Sequence, residues 1–305
     1  MATIEQARRG FLAQLLEAGH YVPLGRPGVW GRSAAFEQVL MGLVGALDGF
    51  YAERPQTVVH FGPVVPQALL ERTGYVTTQP HLVGSIDAFS GDDADHREIV
   101  ADLEEGRDWA TRLQPSGLVM VSSACHPLYG ALAHQRVQGS YQIFGWVFRH
   151  EPSEDPFRTA SFRQKESVHV GDHDACQEHR DHWVGRAEEL LLELGLPVEQ
   201  EVANDPFFGR AGRMMARGQR QAALKKELTI GAYPGHPRTA LASGNLHGDH
   251  FTAAFDITLP DGSPAETSCM GFGLERTTLS LLRVHGMDVG SWPAGVRQRL
   301  GLQAV

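Results

Sequence analysis

The chain has 305 residues, 42% of them hydrophobic and 21% charged, which suits a globular protein with a full core in one large domain or two small ones. A formal net charge of −9 argues against a free-standing nucleic-acid binder, which shows a basic surplus or a basic face. No apolar run approaches bilayer length and the first ten residues lack an apolar signal core, so a cytoplasmic location with no membrane partner is expected.

Ile4, Ala7, Phe11, Leu15 and Leu16 recur at helical spacing and predict a helix over 4–18 that ends near Gly19. Residues 20–34 are rich in Gly and Pro and read as a loop, and a second helix is expected over 36–52. Thr57–Phe61 is a short β-branched and aromatic run that stops at Gly62-Pro63 and reads as a strand. The acidic stretch 90–108 reads as a solvated helix or loop. Strands are expected at Leu118–Val121, Ile143–Phe148 and Ser167–Val170, then an amphipathic helix over 178–194 and a basic helix over about 212–228. Further strands are expected near 239–243, 251–259 and 265–269, with a turn at Pro260-Asp261-Gly262 and a closing helix over about 273–284. Successive strands joined by short turns indicate an α+β class, with an antiparallel sheet flanked by helices.

Phe148-Arg149-His150-Glu151, a polar loop with two prolines, and Arg158 to Phe162 form one arrangement. An alternating strand would put Arg149 and Glu151 on one face, and the loop at 152–161 would return Phe162 above it. A forked cation for phosphate, a carboxylate for an exocyclic amine and an aromatic ring for a purine are what an adenine nucleotide needs. Gly271-Phe-Gly273-Leu-Glu-Arg276 lets backbone approach a ligand and adds a second phosphate cation in the first turn of a helix. Either segment alone also reads as an ordinary turn with a surface arginine.

Cys125, Glu166 and Cys269 are residue types that bind zinc, and three protein ligands leave a fourth position open. No CxxC or HxxH pair supports them, and each cysteine by itself reads as a small buried hydrophobe before it reads as a ligand. Cys176 is a third such thiol. Of His169, His173, His179 and His182, only His179 and His182 share helical spacing, on a face that reads as solvated. The run Asn245-Leu-His247-Gly-Asp249-His250 reads as a pocket edge or as a turn with hydrogen-bonded polar side chains. Glu266 reads as a Mg²⁺ ligand or as a solvated strand carboxylate. Arg210, Arg213, Arg217 and Arg220 precede Lys225 and Lys226 in a segment whose only acid is Glu227. Arg213, Arg217 and Arg220 share a helix face, either simply exposed or suited to steering a small acidic partner.

Phe-Arg-x-Glu followed by Arg-x-x-x-Phe and then Gly-x-Gly-x-Glu-Arg resembles motifs 2 and 3 of class II aminoacyl-tRNA synthetases. The stretch 58–66 around Pro63 is similar to motif 1, the dimer-interface strand. The chain from about 58 to 286 resembles amino acid:[carrier protein] ligases, truncated relatives of the atypical zinc-containing seryl-tRNA synthetases. Its strongest points are Ala124-Cys-His-Pro127, Arg149-His-Glu-Pro-Ser153, Ala203-Asn-Asp-Pro-Phe-Phe-Gly209, Asp249-His-Phe251 and Gly271-Phe-Gly-Leu-Glu-Arg276.

The resemblance implies a class II synthetase-like catalytic domain over 56–305, with a carrier-docking helix insertion at about 205–230, after an N-terminal helical segment over 1–55. It implies Arg149 on the α-phosphate, Arg276 on the γ-phosphate, Glu151 on the adenine amine, Phe162 stacked on the ring, and Arg158 and Glu266 also at ATP. Cys125, Glu166 and Cys269 match the family's zinc ligands and would hold the amine of glycine, alanine or serine, with Asn245 and Asp249 nearby. Arg210, Arg213, Arg217 and Arg220 would dock a small acidic carrier protein, whose phosphopantetheine thiol accepts the aminoacyl group. Zn²⁺, Mg²⁺ and a homodimer are implied as well; a tRNA partner is not expected. The alternatives are a regulatory or scaffold protein on a synthetase fold, or a minimal tRNA-charging enzyme.

Overall fold

A computed structural model describes residues 3–151, 153–205, 208, 219 and 223–302. In chain order the elements are α1 (Ile4–Glu17), β1 (Tyr21–Arg26), β2 (Val29–Arg32), α2 (Ala34–Tyr51), β3 (Thr57–His60), β4 (Val64–Pro66), α3 (Gln67–Arg72), α4 (Tyr75–Thr78), β5 (Ser85–Ala88), α5 (Asp93–Glu104), β6 (Gln114–Met120) and α6 (His126–Ala131). There follow β7 (Gly139–Phe148), β8 (Ser161–Gly171), α7 (His173–Glu193), β9 (Val198–Ala203), β10 (Lys225–Ile230), β11 (Thr239–Gly248), α8 (His250–Phe255), β12 (Glu266–Gly273), α9 (Leu274–His285) and α10 (Ala294–Arg299).

Seven strands form the main sheet in the order β3-β7-β8-β12-β11-β10-β9, antiparallel except for the β3–β7 pair. A three-stranded sheet, β4-β6-β5, stands beside it. Side chains of a strand alternate between the two faces, and β8 and β12 use that alternation fully. Arg163, Lys165 and Ser167 point to one face, where they bind Glu37, Asp48 and Gln56 at 2.7, 2.6 and 2.8 Å. Met270 and Phe272 join the same side in an apolar cluster with Tyr51, Trp183 and Leu279. This is the floor on which α2, α7 and α9 pack. Gly244 is small because α7 lies there: an added Cβ would stand 2.4 Å from a Val184 methyl. Phe162, Gln164, Glu166, Cys269 and Gly271 point the other way and line an open cleft.

Three expectations are corrected. Residues 20–34 hold the β1–β2 hairpin rather than a loop. Gly25 and Gly28 take φ of +82° and +78° around its turn, and Tyr21 stacks on Trp30 at 5.5 Å. The first part of 251–259 is helix α8, not strand: Phe251, Thr252 and Phe255 are buried at helical spacing, and Asp256 ends the helix with φ +52°. Residues 225–230 are strand β10, paired on both sides, rather than the end of a basic helix.

The expected solvated face at His179 is also wrong. His179 is buried on the floor side of the sheet, within 3.0 Å of Ser167 Oγ and 2.9 Å of Ser268 Oγ, and stacks on His169. Cys176 is fully buried on α7 and does not line the cleft.

Candidate active site

The cleft has a volume of about 820 Å³ and is walled by the open face of β8, β10, β11 and β12, by residues 123–126, and by the loop after β7. At one end stand the arginines. Strand β7 stops at Phe148, so Arg149 and Glu151 lie just past it in a turn, with Glu151 N donating to Arg149 O at 2.8 Å. They do not continue an alternating strand as expected. Arg149 Nε donates to Ser122 O at 3.2 Å, and its guanidinium stands 5.5 Å from the centroid of the Phe162 ring. Arg158 ion-pairs with Glu151 at 2.9 Å.

Arg276 leaves the first turn of α9 and donates to Phe157 O at 3.0 Å. Burial, with Arg158 and Arg149 adding repulsion, lowers its pKa to about 10. It remains a cation at neutral pH but is short of counter-charge, so an anion entering beside it is favoured.

At the other end Cys125, Glu166 and Cys269 are all buried, at 4%, 3% and 6% exposure, yet each reaches the cleft surface. Cys125 caps the start of α6, while Glu166 and Cys269 come from the open faces of β8 and β12. Ser123 Oγ joins two of them, 3.5 Å from Cys125 Sγ and 3.4 Å from Glu166 Oε1. Asn245 Nδ2 stands 3.3 Å from Cys269 Sγ, and His247 Nε2 stands 3.6 Å from it. Glu166 Oε2 is buried without a hydrogen-bond partner. Burial raises the pKa of Glu166 and raises both thiols well above their usual range. It also holds the flanking imidazoles neutral, His126 at about 3 and His247 at about 4. Among the described residues, no group of three or more His, Cys, Asp or Glu side chains is arranged to hold a metal ion as it stands.

Two expected residues lie elsewhere. Glu266 does not line the cleft; its carboxylate is 2.9 Å from His173 Nδ1. It opens β12, seven residues before Gly273, and a strand rises about 3.3 Å per residue, so roughly 23 Å separate it from the arginine end. Asp249 is exposed at the start of α8 and likewise does not line the cleft. Arg210, Arg213, Arg217 and Arg220 lie outside the described residues.

Other cleft residues went unread in the sequence. Gln164 Oε1 accepts from Ala124 N at 3.0 Å and so ties the Cys125 loop to β8. Lys225 Nζ stands 2.6 Å from Asp205 Oδ1 and 3.1 Å from Glu227, and Asp205 is held on its other side by Gln219 at 2.8 Å. The period-two run Phe162, Gln164, Glu166 was the available signal for the first. Lys225 and Glu227 would have followed from reading 225–230 as a strand.

Such a sheet, with a motif-2-like loop, a helix-borne arginine and a helical floor, defines a class II aminoacyl-tRNA synthetase catalytic fold. A Methanopyrus kandleri seryl-tRNA synthetase, solved with Aquifex aeolicus selenocysteine tRNA, superposes with a TM-score of 0.81 over 95% of this chain at 17% identity. This chain spans 60% of that one. No family profile matches the chain. Two Bradyrhizobium diazoefficiens proteins, amino acid–[acyl-carrier-protein] ligases 2 and 1, are 37% and 36% identical over 92% of this chain, which covers 84% and 87% of their lengths. The chain belongs to the amino acid–[acyl-carrier-protein] ligase family.

Proposed function

We propose that this protein activates a small amino acid (glycine, alanine or serine) with ATP and transfers the aminoacyl group to the phosphopantetheine thiol of a carrier protein, as an AMP-forming ligase that makes a carbon–sulfur bond. The observation that carries this reading is one cleft lined at one end by Arg149, Phe162 and Arg276 and at the other by Cys125, Glu166 and Cys269.

The residues suit Zn²⁺. Two soft thiols and a carboxylate with one orphaned oxygen form a mixed sulfur–oxygen donor set of the kind zinc takes, and leave a position for a substrate amine. Zn²⁺ bound there would hold the α-amine in its neutral form and orient the substrate carboxylate.

The chain's own part is positioning and charge. Arg149 takes the α-phosphate. Arg276 is placed for the terminal phosphates and Phe162 for the adenine ring, with Arg158 and Glu151 exchanging their mutual pair for nucleotide contacts. A carboxylate oxygen of the amino acid attacks the α-phosphorus and pyrophosphate leaves. The thiol, having given its proton to solvent, then attacks the adenylate carbonyl as the thiolate; the bond to the phosphate oxygen breaks, giving the thioester and releasing AMP. Held in this geometry, the step needs little acid–base help. Glu266 does not line the cleft, so Mg²⁺ accompanying the nucleotide would meet a carboxylate that does, such as Glu227.

The arginine stripe 210–220 is the proposed dock for an acidic carrier, since it is basic within a chain of net charge −9. A homodimer through the β3 edge, where Val58 is 59% exposed, and a cytoplasmic location complete the reading. The test is transfer of labelled amino acid to a phosphopantetheinylated carrier protein, with tRNA as the competing acceptor. Labelled carrier supports the reading, and labelled tRNA alone replaces it with tRNA charging.

A further inference from the structure

Helix α1 and the β1–β2 hairpin grip the loop that carries the nucleotide residues. Ile4, Arg8, Phe11 and Leu15 fall on one face of α1, and Ile4 and Arg8 line the cleft. Arg8 Nε stands 2.9 Å from Asp155 Oδ2, and Arg9 pairs with Glu154 at 3.1 Å. Phe11 stacks on Phe157 at 5.5 Å. From the hairpin, Tyr21 OH donates to Pro156 O at 3.2 Å, and Gly28 O accepts from Ala160 N at 2.9 Å. Loop residues 154–157 and 160 are thus each touched by α1 or by the hairpin.

Asp155 is where these contacts converge. It is 5% exposed, and its Oδ1 accepts from Tyr233 OH at 2.8 Å and from Phe157 N at 3.1 Å. Phe157 in turn offers its carbonyl to Arg276, and Arg158 N donates to Asp155 O at 2.9 Å. Arg8 is the cation facing Asp155 in this set. Without it the buried carboxylate would lose its ion-pair partner and keep two neutral donors, a costly state that favours moving the loop outward to water.

We infer that Arg8 is a positioning residue for ATP: by neutralising Asp155 it fixes the 153–160 loop, and with it the places of Arg158 and Arg276. This rests on the proposed ATP site, and assigns to the N-terminal segment a part in nucleotide binding. Because Arg8 also reaches the cleft surface, direct phosphate contact is the rival explanation, and the two separate on Asp155.

The experiment is calorimetric titration of the full-length protein with MgATP, without amino acid, for the parent, Arg8→Ala, Arg8→Lys and Asp155→Asn. Positioning predicts roughly tenfold weaker ATP binding for Arg8→Ala and for Asp155→Asn, with partial recovery in Arg8→Lys. It also predicts that the KM for amino acid in pyrophosphate exchange stays within about twofold of the parent for Arg8→Ala. Parent-like ATP affinity in Arg8→Ala would overturn the inference alone. So would unchanged or tighter binding in Asp155→Asn beside a weakened Arg8→Ala, because freeing Arg8 would then serve the phosphate. If Arg8→Ala melts early, the Asp155→Asn and Arg8→Lys pair decides on the same criteria. A parent that binds no ATP overturns the proposed site and this inference with it.

Discussion

Gly271 stands directly opposite Glu166 across the β8–β12 pair, and a Cβ at Gly271 would come within 2.9 Å of Glu166 Cγ. The absent side chain is the space that the Glu166 side chain occupies, with its Oε1 3.4 Å from the Ser123 hydroxyl that also meets Cys125. Both residues lie on the cleft face, so this is a fit between two strands, not a turn requirement.

Gly271→Ala therefore tests the amino acid end. Overpacking there costs about 1–3 kcal/mol and pushes the carboxylate out of place. The expected result is a folded protein with reduced zinc content and at least roughly tenfold slower exchange, since misplacement near reacting groups is expensive. The KM for amino acid should rise more than that for ATP. Metal analysis and exchange kinetics on one preparation check it.

Arg276 offers a trade between stability and function. Its pKa of about 10 lies below the ordinary arginine value, so the folded state disfavours the charged form. That cost is present at every pH below the folded value and is relieved only as pH rises above about 10. Arg276→Met should raise the ligand-free stability at pH 7.5 by on the order of 1–2 kcal/mol. It should also abolish the upward melting shift that MgATP gives the parent. Thermal melts with and without nucleotide read both effects.

Acid sensitivity should come from buried histidines. Burial lowers the pKa of His169 and, further, that of His179, so the unfolded chain binds more protons once pH falls below about 6.5. Their stability contribution is thus complete above that pH and is lost as pH drops toward the folded values, by up to about 1.4 kcal/mol per pH unit for each group. His179→Gln can keep one serine partner and cannot charge. Its melting temperature should fall less steeply than the parent's between pH 6.5 and 5, which a pH series of melts measures.

Parts of this cleft were legible in the sequence because they are written in short contiguous words. Arg149 with Phe162, and Gly271 with Arg276, are spaced by local strand, loop and helix geometry that a sequence reader can lay out. The α+β sheet and its helical floor followed from the order of apolar runs. Cys125, Glu166 and Cys269 come from three elements, and only the β8–β12 register and the α6 start put all three on one cleft, so resemblance alone pointed to them. Glu266 failed for the same reason in reverse: it is a suitable acid on the right strand, set down at the wrong end. The hairpin at 21–32 was hidden because its glycines and prolines read as loop, while Tyr21–Trp30 stacking and the 153–160 loop hold it in strand geometry.

The basic stripe calls for a separate test. Reversing Arg213 and Arg217 to Glu should leave exchange within about twofold of the parent and slow transfer to the carrier by roughly tenfold or more, with the loss shrinking as salt rises. Single-turnover transfer at two ionic strengths measures it, and unchanged transfer would remove the docking role.

The most direct measurement is amino-acid-dependent ATP–pyrophosphate exchange on the untagged protein, run with glycine, alanine and serine before chelation, after it, and after zinc is returned. Exchange is expected with at least one of the three, with its loss on chelation and its return with the metal. No exchange with any of them in zinc-replete protein, or exchange indifferent to the chelator, would contradict it.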